Sequence, residues 1–138
     1  MATLLSTLHL PARLDAVAFA GTLARHACEA VGLGDVATMR TEIAVVEACT
    51  NVVEHALRLD ETCSYSATFE ADGDALVVTI RDAGADGAPY GQAVSTDEPD
   101  PDALAEGSYG VPLIFAAARE VAFRREDGLN VLTLRFGG

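Results

Sequence analysis

The chain has 138 residues, half of them hydrophobic, and its 21 acidic against 9 basic side chains give a formal net charge of −12. This length predicts a single domain (1–138), and the apolar content argues against intrinsic disorder. The charge argues against a nucleic-acid partner, because a polyanion would be repelled. All nine basic residues are arginine, which excludes mechanisms that need a lysine, such as a Walker A phosphate loop.

The sequence predicts a soluble, cytoplasmic protein with no membrane partner. The first arginine is Arg13, so no basic segment begins the chain, and the longest apolar run, 111–118, is shorter than the roughly 20 residues of a membrane span. The cysteines Cys28, Cys49 and Cys63 form no Cys-x-x-Cys pair and are odd in number. We expect them to be buried free thiols.

The first half of the chain predicts a strand and two helices. Alternation over 7–10 predicts a short strand that ends at Pro11. Residues 15–31 carry apolar side chains at helical spacing, and Asp35 begins a longer helix that extends to about Arg58. The apolar stripe of this second helix is predicted to be Met39, Ile43, Val46, Val53 and Leu57.

From residue 63 the apolar period changes to two, and Asp72-Gly73 interrupts it as a hairpin turn does. Residues 83–107 have no period and are rich in Gly, Pro and Asp, which is typical of a functional loop or lid.

A short helix over 110–119 and two strands, 121–126 and 131–136, complete the chain, with Asp127-Gly128 as their turn. This order predicts an α/β (α+β) two-layer sandwich. Its sheet is expected to be mixed but mostly antiparallel, and covered on one face by helices.

Three polar residues of the second predicted helix, Glu47, Asn51 and His55, recur every four residues and therefore form one stripe. A carboxylate and an amide beside an apolar face are costly unless they have partners. The stripe alone is also compatible with an ordinary solvated helix face. For His55 we favour a structural role.

Two glycine-containing motifs follow. Asp82-x-Gly84 lies where a predicted strand leaves the sheet, and glycine there permits a positive φ or the close approach of a ligand. Gly107 and Gly110 precede the short helix, whose first N–H groups can bind an anion. Each motif by itself is a weak signal.

Together and in this order, the motifs resemble the GHKL ATPase superfamily with its Bergerat fold, and within it the small anti-sigma factor serine kinases. Residues 42–56 resemble the N box of that family, 77–84 its G1 box and 110–114 its G2 region. The resemblance covers nearly the whole chain.

The resemblance implies a role for each matching residue. Asn51 would bind Mg²⁺, Glu47 would be the general base, Asp82 would accept a hydrogen bond from the adenine amino group, and Gly84 would lie against the base. The loop 85–109 would be the ATP lid. The other nucleotide-binding residues implied are Gly107, Gly110, Val111 and Asn130.

The activity implied is that of a regulatory serine kinase that uses ATP and Mg²⁺. Its substrate would be a serine of a STAS-type anti-anti-sigma protein, and it would sequester a sigma factor and form a homodimer. The chain departs from the usual Gly-x-Gly, because it has Ser108-Tyr109-Gly110 and then Pro112. These changes favour an alternative, a catalytically weak or nucleotide-free binding module. The ATP domain of a sensor histidine kinase, or a hydrolytic ATPase, is a third and weaker alternative.

Charge in the predicted lid makes a further expectation. Its acidic residues would repel phosphates, so nucleotide affinity should depend steeply on Mg²⁺. Five of them are clustered between residues 97 and 106, namely Asp97, Glu98, Asp100, Asp102 and Glu106. The arginines near the last hairpin, Arg119, Arg124 and Arg125, are expected to be solvated, with contact to the γ-phosphate as the alternative.

Overall fold

The computed structural model describes residues 2–85 and 110–138. The strands are β1 (Ala2–Pro11), β2 (Ser64–Asp72), β3 (Ala75–Asp82), β4 (Glu120–Glu126) and β5 (Leu129–Gly137). The helices are α1 (Val17–Val31), which follows a 3₁₀ turn (Leu14–Ala16), α2 (Asp35–Asn51), which continues into a π-helical turn (Val52–Ala56), and α3 (Gly110–Ala117).

The five strands form one sheet in the order β1-β2-β3-β5-β4, and each neighbouring pair is antiparallel. The predicted α+β sandwich is confirmed, and the sheet, expected to be mixed, contains only antiparallel pairs within the described residues. β5 enters between β3 and β4, so the ends of these three strands lie side by side. This placement builds one wall of the candidate site.

Both predicted hairpins have two-residue turns. In the second, Asp127 and Gly128 have φ of 52° and 79°, which matches the twist of the flanking strands. The turn pairs Glu126 with Leu129 and Arg125 with Asn130. In the first hairpin Gly73 has φ of 62°, and Asp72 pairs with Ala75. The first turn is therefore Gly73-Asp74, one residue later than predicted.

The predicted apolar stripe of α2 is partly wrong. Met39 and Ile43 are 55% and 42% exposed, whereas Val53 and Leu57 are buried as expected. The buried face of α2 itself consists mainly of small side chains, Thr41, Ala44, Val45, Ala48 and Cys49. The physical reason is close helix packing, because a Cβ on Gly21 of α1 would lie only 2.6 Å from Val46 Cγ2.

The second predicted helix has its expected extent but not a uniform geometry. Its last turn is π-helical, and the Leu57 N–H donates to the Val52 carbonyl at 2.8 Å. Arg58 and Leu59 then adopt φ of 53° and 62°, which ends the helix. Single π-helical turns in α-helices are frequent at functional sites, and this one follows Asn51 directly.

Two of the three cysteines fit the prediction, since Cys28 and Cys49 are buried, whereas Cys63 is only half-buried. Burial raises the pKa of Cys49 to about 12, so this thiol stays neutral at physiological pH. Among residues 2–85 and 110–138, no helix has both the length and the hydropathy that a membrane crossing requires.

Candidate functional site

Polar side chains are buried at one end of the sheet and helix layers. In the part of the chain that the structure describes, five polar residues are buried, and three of them are Asn51, Asp82 and Asn130, with 4%, 5% and 1% exposure. Burying a carboxylate or an amide is unfavourable unless hydrogen bonds compensate. The sequence motifs had singled out the same three residues.

Asp82 is the last residue of β3, and one of its carboxylate oxygens is held by two donors. Oδ1 accepts a hydrogen bond from the Gly84 backbone N–H at 2.8 Å and another from Asn130 Nδ2 at 2.9 Å. Asp82 and Asn130 are paired across β3 and β5. Protein groups therefore hold the carboxylate in a defined orientation.

Asn130 connects Asp82 to a third strand. Its Nδ2 also donates to the Ala85 carbonyl at 2.9 Å, and its Oδ1 accepts from Arg125 Nη1 at 3.1 Å. The same Arg125 nitrogen donates to the Gly84 carbonyl at 3.0 Å. We call Asp82, Gly84, Ala85, Arg125 and Asn130 the Asp82 network.

Gly84 joins this network to the π-helical turn that continues α2. The reason for a glycine at this position differs from the predicted one. Its φ is not positive, so left-handed backbone is not the reason for glycine. A Cβ at this position would lie 2.3 Å from the Ala56 carbonyl oxygen, and the Ala85 N–H donates to that oxygen at 2.9 Å. Glycine is required because two backbone segments touch here.

Replacing Gly84 by alanine is therefore expected to lower the free energy of unfolding by about 1–3 kcal/mol, the usual cost of forcing extra volume into a packed site. It should also weaken binding of the nucleotide that the motifs imply, because the turn that holds Asp82 must move. Urea unfolding and calorimetric titration with Mg·ATP measure the two effects. Gly34→Ala is the control for affinity, since its Cβ would meet no atom within 4 Å. An unchanged ATP affinity in Gly84→Ala would contradict this account.

α2 contributes the other two predicted residues. Glu47 is half-buried, and Asn51, one turn later, is the last residue of the helix. His55 lies in the π-helical turn and is exposed, whereas Asn51 is buried. The predicted polar stripe therefore does not extend to His55 with the same spacing and burial. Because Ala56 contacts Gly84, the helix that carries Glu47 and Asn51 ends against the turn that carries Asp82.

Gly110 and Val111 begin α3, as the sequence predicted. N–H groups in the first turn of a helix lack intrahelical partners and suit a phosphate. Pro112 lies in this turn and has no N–H. Gly107 and most of the predicted lid (85–109) lie outside the described residues.

The residues present fit a nucleotide with Mg²⁺. Residues 2–85 and 110–138 contain no group of three or more His, Cys, Asp or Glu that would hold a metal ion unaided. Mg²⁺ commonly takes only one or two protein oxygens and completes its shell with phosphates and waters. A single amide oxygen from Asn51 meets that requirement, and a buried, oriented carboxylate suits an amino group.

Sequence reasoning did not predict the contacts that Arg125 makes in the Asp82 network. The arginine was expected to be solvated or to contact the γ-phosphate, and it instead bonds to Gly84 and Asn130. The signal was available, because a two-residue turn at Asp127-Gly128 pairs 125 with 130. Alternation along β4 then places Arg125 on the same face as Val121, which is buried.

Comparison with known proteins identifies a matching family, related proteins and solved structures with the same fold. The model of the histidine kinase-like ATPase domain matches residues 10–136. The serine-protein kinase RsbW of Bacillus licheniformis is 32% identical over 99 residues, and RsbW of Bacillus subtilis (strain 168) is 31% identical over 104 residues. Each alignment covers 69% of this chain and 62% of the relative, so the chain spans about 62% of the length of these curated relatives.

Two solved structures share the fold. The SiaB–SiaC complex from Pseudomonas aeruginosa gives a TM-score of 0.62 at 16% identity, over 96% of this chain and 89% of the matched chain. A structure of RsbU and RsbW domains from Mycobacterium tuberculosis gives 0.59 at 17% identity, over 96% of this chain and 32% of that one.

Proposed function

This chain belongs to the histidine kinase-like ATPase (GHKL) domain family, and we propose that it is an ATP-dependent serine kinase that acts as an anti-sigma regulatory factor. One observation carries the proposal. The buried carboxylate of Asp82, with Oδ1 held by two donors, stands at the turn that touches the end of the helix bearing Glu47 and Asn51.

In this proposal the Asp82 network binds adenine. Asp82 accepts a hydrogen bond from the amino group of the base, which distinguishes adenine from a base with a carbonyl there. Asn51 supplies an oxygen ligand for Mg²⁺, which brings positive charge to the phosphates. Backbone N–H groups of Gly110 and Val111, in the first turn of α3, bind the phosphates. A contribution from Gly107, which lies outside the described residues, stays a prediction.

Glu47 is the proposed general base. The acceptor serine hydroxyl oxygen attacks the γ-phosphorus, its proton passes to the Glu47 carboxylate, and the bond from the γ-phosphorus to the bridging oxygen breaks to release ADP. Glu47 is half-buried, so part of this residue is exposed to solvent, as contact with an acceptor protein requires. The products are phosphoserine and ADP.

The surface beside Glu47 supports a protein as the acceptor. Val36, Met39 and Ile43 are exposed, and they precede Glu47 at intervals of three or four residues on one face of α2. Large exposed apolar side chains in such a row are typical of protein contact sites. Similarity to RsbW supports a STAS-type anti-anti-sigma protein as this partner, with a sigma factor as the protein that is sequestered.

Transfer of labelled phosphate tests the kinase assignment. Incubating the chain with γ-labelled ATP, Mg²⁺ and a STAS-domain protein from the same organism is expected to label a serine of that protein. Mass spectrometry of the labelled peptide identifies the residue. Absence of transfer by the chain with Glu47 intact, across the STAS proteins of that organism, would overturn the kinase assignment.

Pro112 favours a second candidate, a cytoplasmic single-domain binding module that holds nucleotide weakly and acts by partner exchange alone. Because Pro112 removes one N–H from the first turn of α3, fewer donors remain for phosphate. Calorimetry with Mg·ATP separates the two. Micromolar binding that Asn51→Ala abolishes would exclude a nucleotide-free module.

A further inference from the structure

We propose that Arg125 is a positioning residue for base recognition, because it fixes the amide of Asn130 that in turn orients Asp82. The inference rests on the proposed function, in which Asp82 binds the adenine amino group. It adds a residue that lies on the last hairpin, outside the motifs that resemble the family.

The orientation of the Asn130 amide decides whether Asp82 Oδ1 faces a hydrogen-bond donor or another acceptor. An asparagine side chain can rotate by 180° and exchange its donor and acceptor. In the observed orientation Nδ2 faces two acceptors, Asp82 Oδ1 and the Ala85 carbonyl. In the reverse orientation the amide oxygen would face both of them, and neither would have a donor from Asn130.

Arg125 selects the observed orientation. A guanidinium only donates hydrogen bonds, so the bond from Arg125 Nη1 is compatible with Asn130 Oδ1 and not with Nδ2. The second bond from the same nitrogen, to the Gly84 carbonyl, ties the arginine to the turn that Asp82 begins. One side chain thus supports both groups that contact the Asp82 carboxylate.

Asp82, Asn130 and Arg125 lie in one row across three neighbouring strands of the sheet. Asp82 pairs with Asn130 across β3 and β5, and Asn130 pairs with Arg125 across β5 and β4. Side chains on neighbouring strands at paired positions point to the same face. Strand pairing therefore places the three side chains beside one another, as preorganised recognition requires.

The preceding residue is a matched control. Arg124 is also exposed and also on β4, but alternation turns it to the opposite face, where its Nε pairs with Glu126 at 2.8 Å. Arg124→Ala and Arg125→Ala remove the same charge from adjacent positions. A difference between them then reports the position of the side chain and not the net charge of the chain.

Calorimetric titrations of the wild-type chain and both variants with Mg·ATP and Mg·ITP test the proposal, because inosine lacks the amino group that Asp82 would bind. Arg125→Ala is expected to lower ATP affinity about tenfold, the loss of roughly one charge-assisted hydrogen bond. Its ITP affinity should change much less, so the preference for ATP falls. Arg124→Ala should keep the wild-type preference.

Two further variants guard against a purely structural explanation. Arg125→Lys keeps the charge and a donor, so part of the ATP preference should return. In an Asn130→Ala background, Arg125→Ala should cost less ATP affinity than in the wild-type chain, because only its bond to the Gly84 carbonyl is then left to lose. Thermal unfolding of each variant checks that the fold persists.

The outcomes separate the two proposals. Wild-type preference for ATP in Arg125→Ala, or equal losses in Arg124→Ala and Arg125→Ala, would overturn the role of Arg125 while the proposed function stands. Failure of the wild-type chain to bind ATP would overturn the proposed function and the role of Arg125 with it. A lost preference confined to Arg125→Ala, with partial return in Arg125→Lys, supports both.

Discussion

Substituting glutamine for Glu47 is expected to slow phosphoryl transfer to the acceptor serine by about 10²–10⁴-fold, the usual contribution of a general base. Glutamine has nearly the shape of glutamate but cannot take the serine proton. The affinity for Mg·ATP should change little, because the proposed adenine and phosphate contacts are made by other residues. The loss should therefore be in the rate and not in binding.

Single-turnover transfer from labelled ATP, together with calorimetry, measures rate and affinity separately. Glu54→Gln is the matched control, because Glu54 is exposed in the π-helical turn that follows the same helix. It should retain the wild-type rate. A Glu47→Gln variant that transfers phosphate as fast as the wild-type chain would exclude Glu47 as the base.

Removal of Mg²⁺ is expected to lower ATP affinity by about a hundredfold or more, which corresponds to roughly 2.7 kcal/mol. The chain has no lysine to neutralise phosphate charge, and five carboxylates lie between residues 97 and 106. The metal ion and helix N–H groups must then supply the compensation. Asn51→Ala in the presence of Mg²⁺ should approach the affinity of the wild-type chain without the metal.

ATP is titrated into the wild-type chain and into Asn51→Ala, each in Mg²⁺ and in a chelator. These four titrations give the affinities that the comparison needs. Thr50→Ala is the control, since its hydroxyl donates to the Val46 carbonyl within the helix at 2.8 Å. It should keep the full Mg²⁺ dependence. Equal affinity of the wild-type chain with and without Mg²⁺ would contradict the assignment of Asn51 and this account of the phosphates.

Local patterns predicted the elements well because they depend on neighbouring residues. Period-two alternation and two-residue turns set both hairpins, and the second turn even determines the pairing of Arg125 with Asn130. Start signals placed α2 at Asp35 and α3 at Gly110. The first strand is longer than predicted, Ala2–Pro11, because pairing with β2 extends it beyond its alternating residues.

Side-chain environments were harder to predict. Met39 and Ile43 belong to an apolar pattern but are exposed. The buried face of α2 consists mainly of small residues, because α1 packs too closely for large side chains to fit between the two helices. Gly84 was expected to allow a positive φ and the close approach of a ligand, whereas the described structure shows the close approach of the Ala56 carbonyl from a distant segment. The periodicity of a sequence gives no information on distances between segments that are far apart in the chain.

The sequence by itself determined the fold class, because the periods of helices and strands follow from backbone geometry. The family, and the residues proposed to bind ATP and Mg²⁺, came from the resemblance of its motifs to a known family. Only the tertiary structure decided how Asp82 is held. That arrangement requires β5 to lie between β3 and β4, and it requires a helix end to touch the turn at Gly84. Contacts between segments 28 to 48 residues apart depend on packing of the whole domain, so they emerge only when the chain has folded.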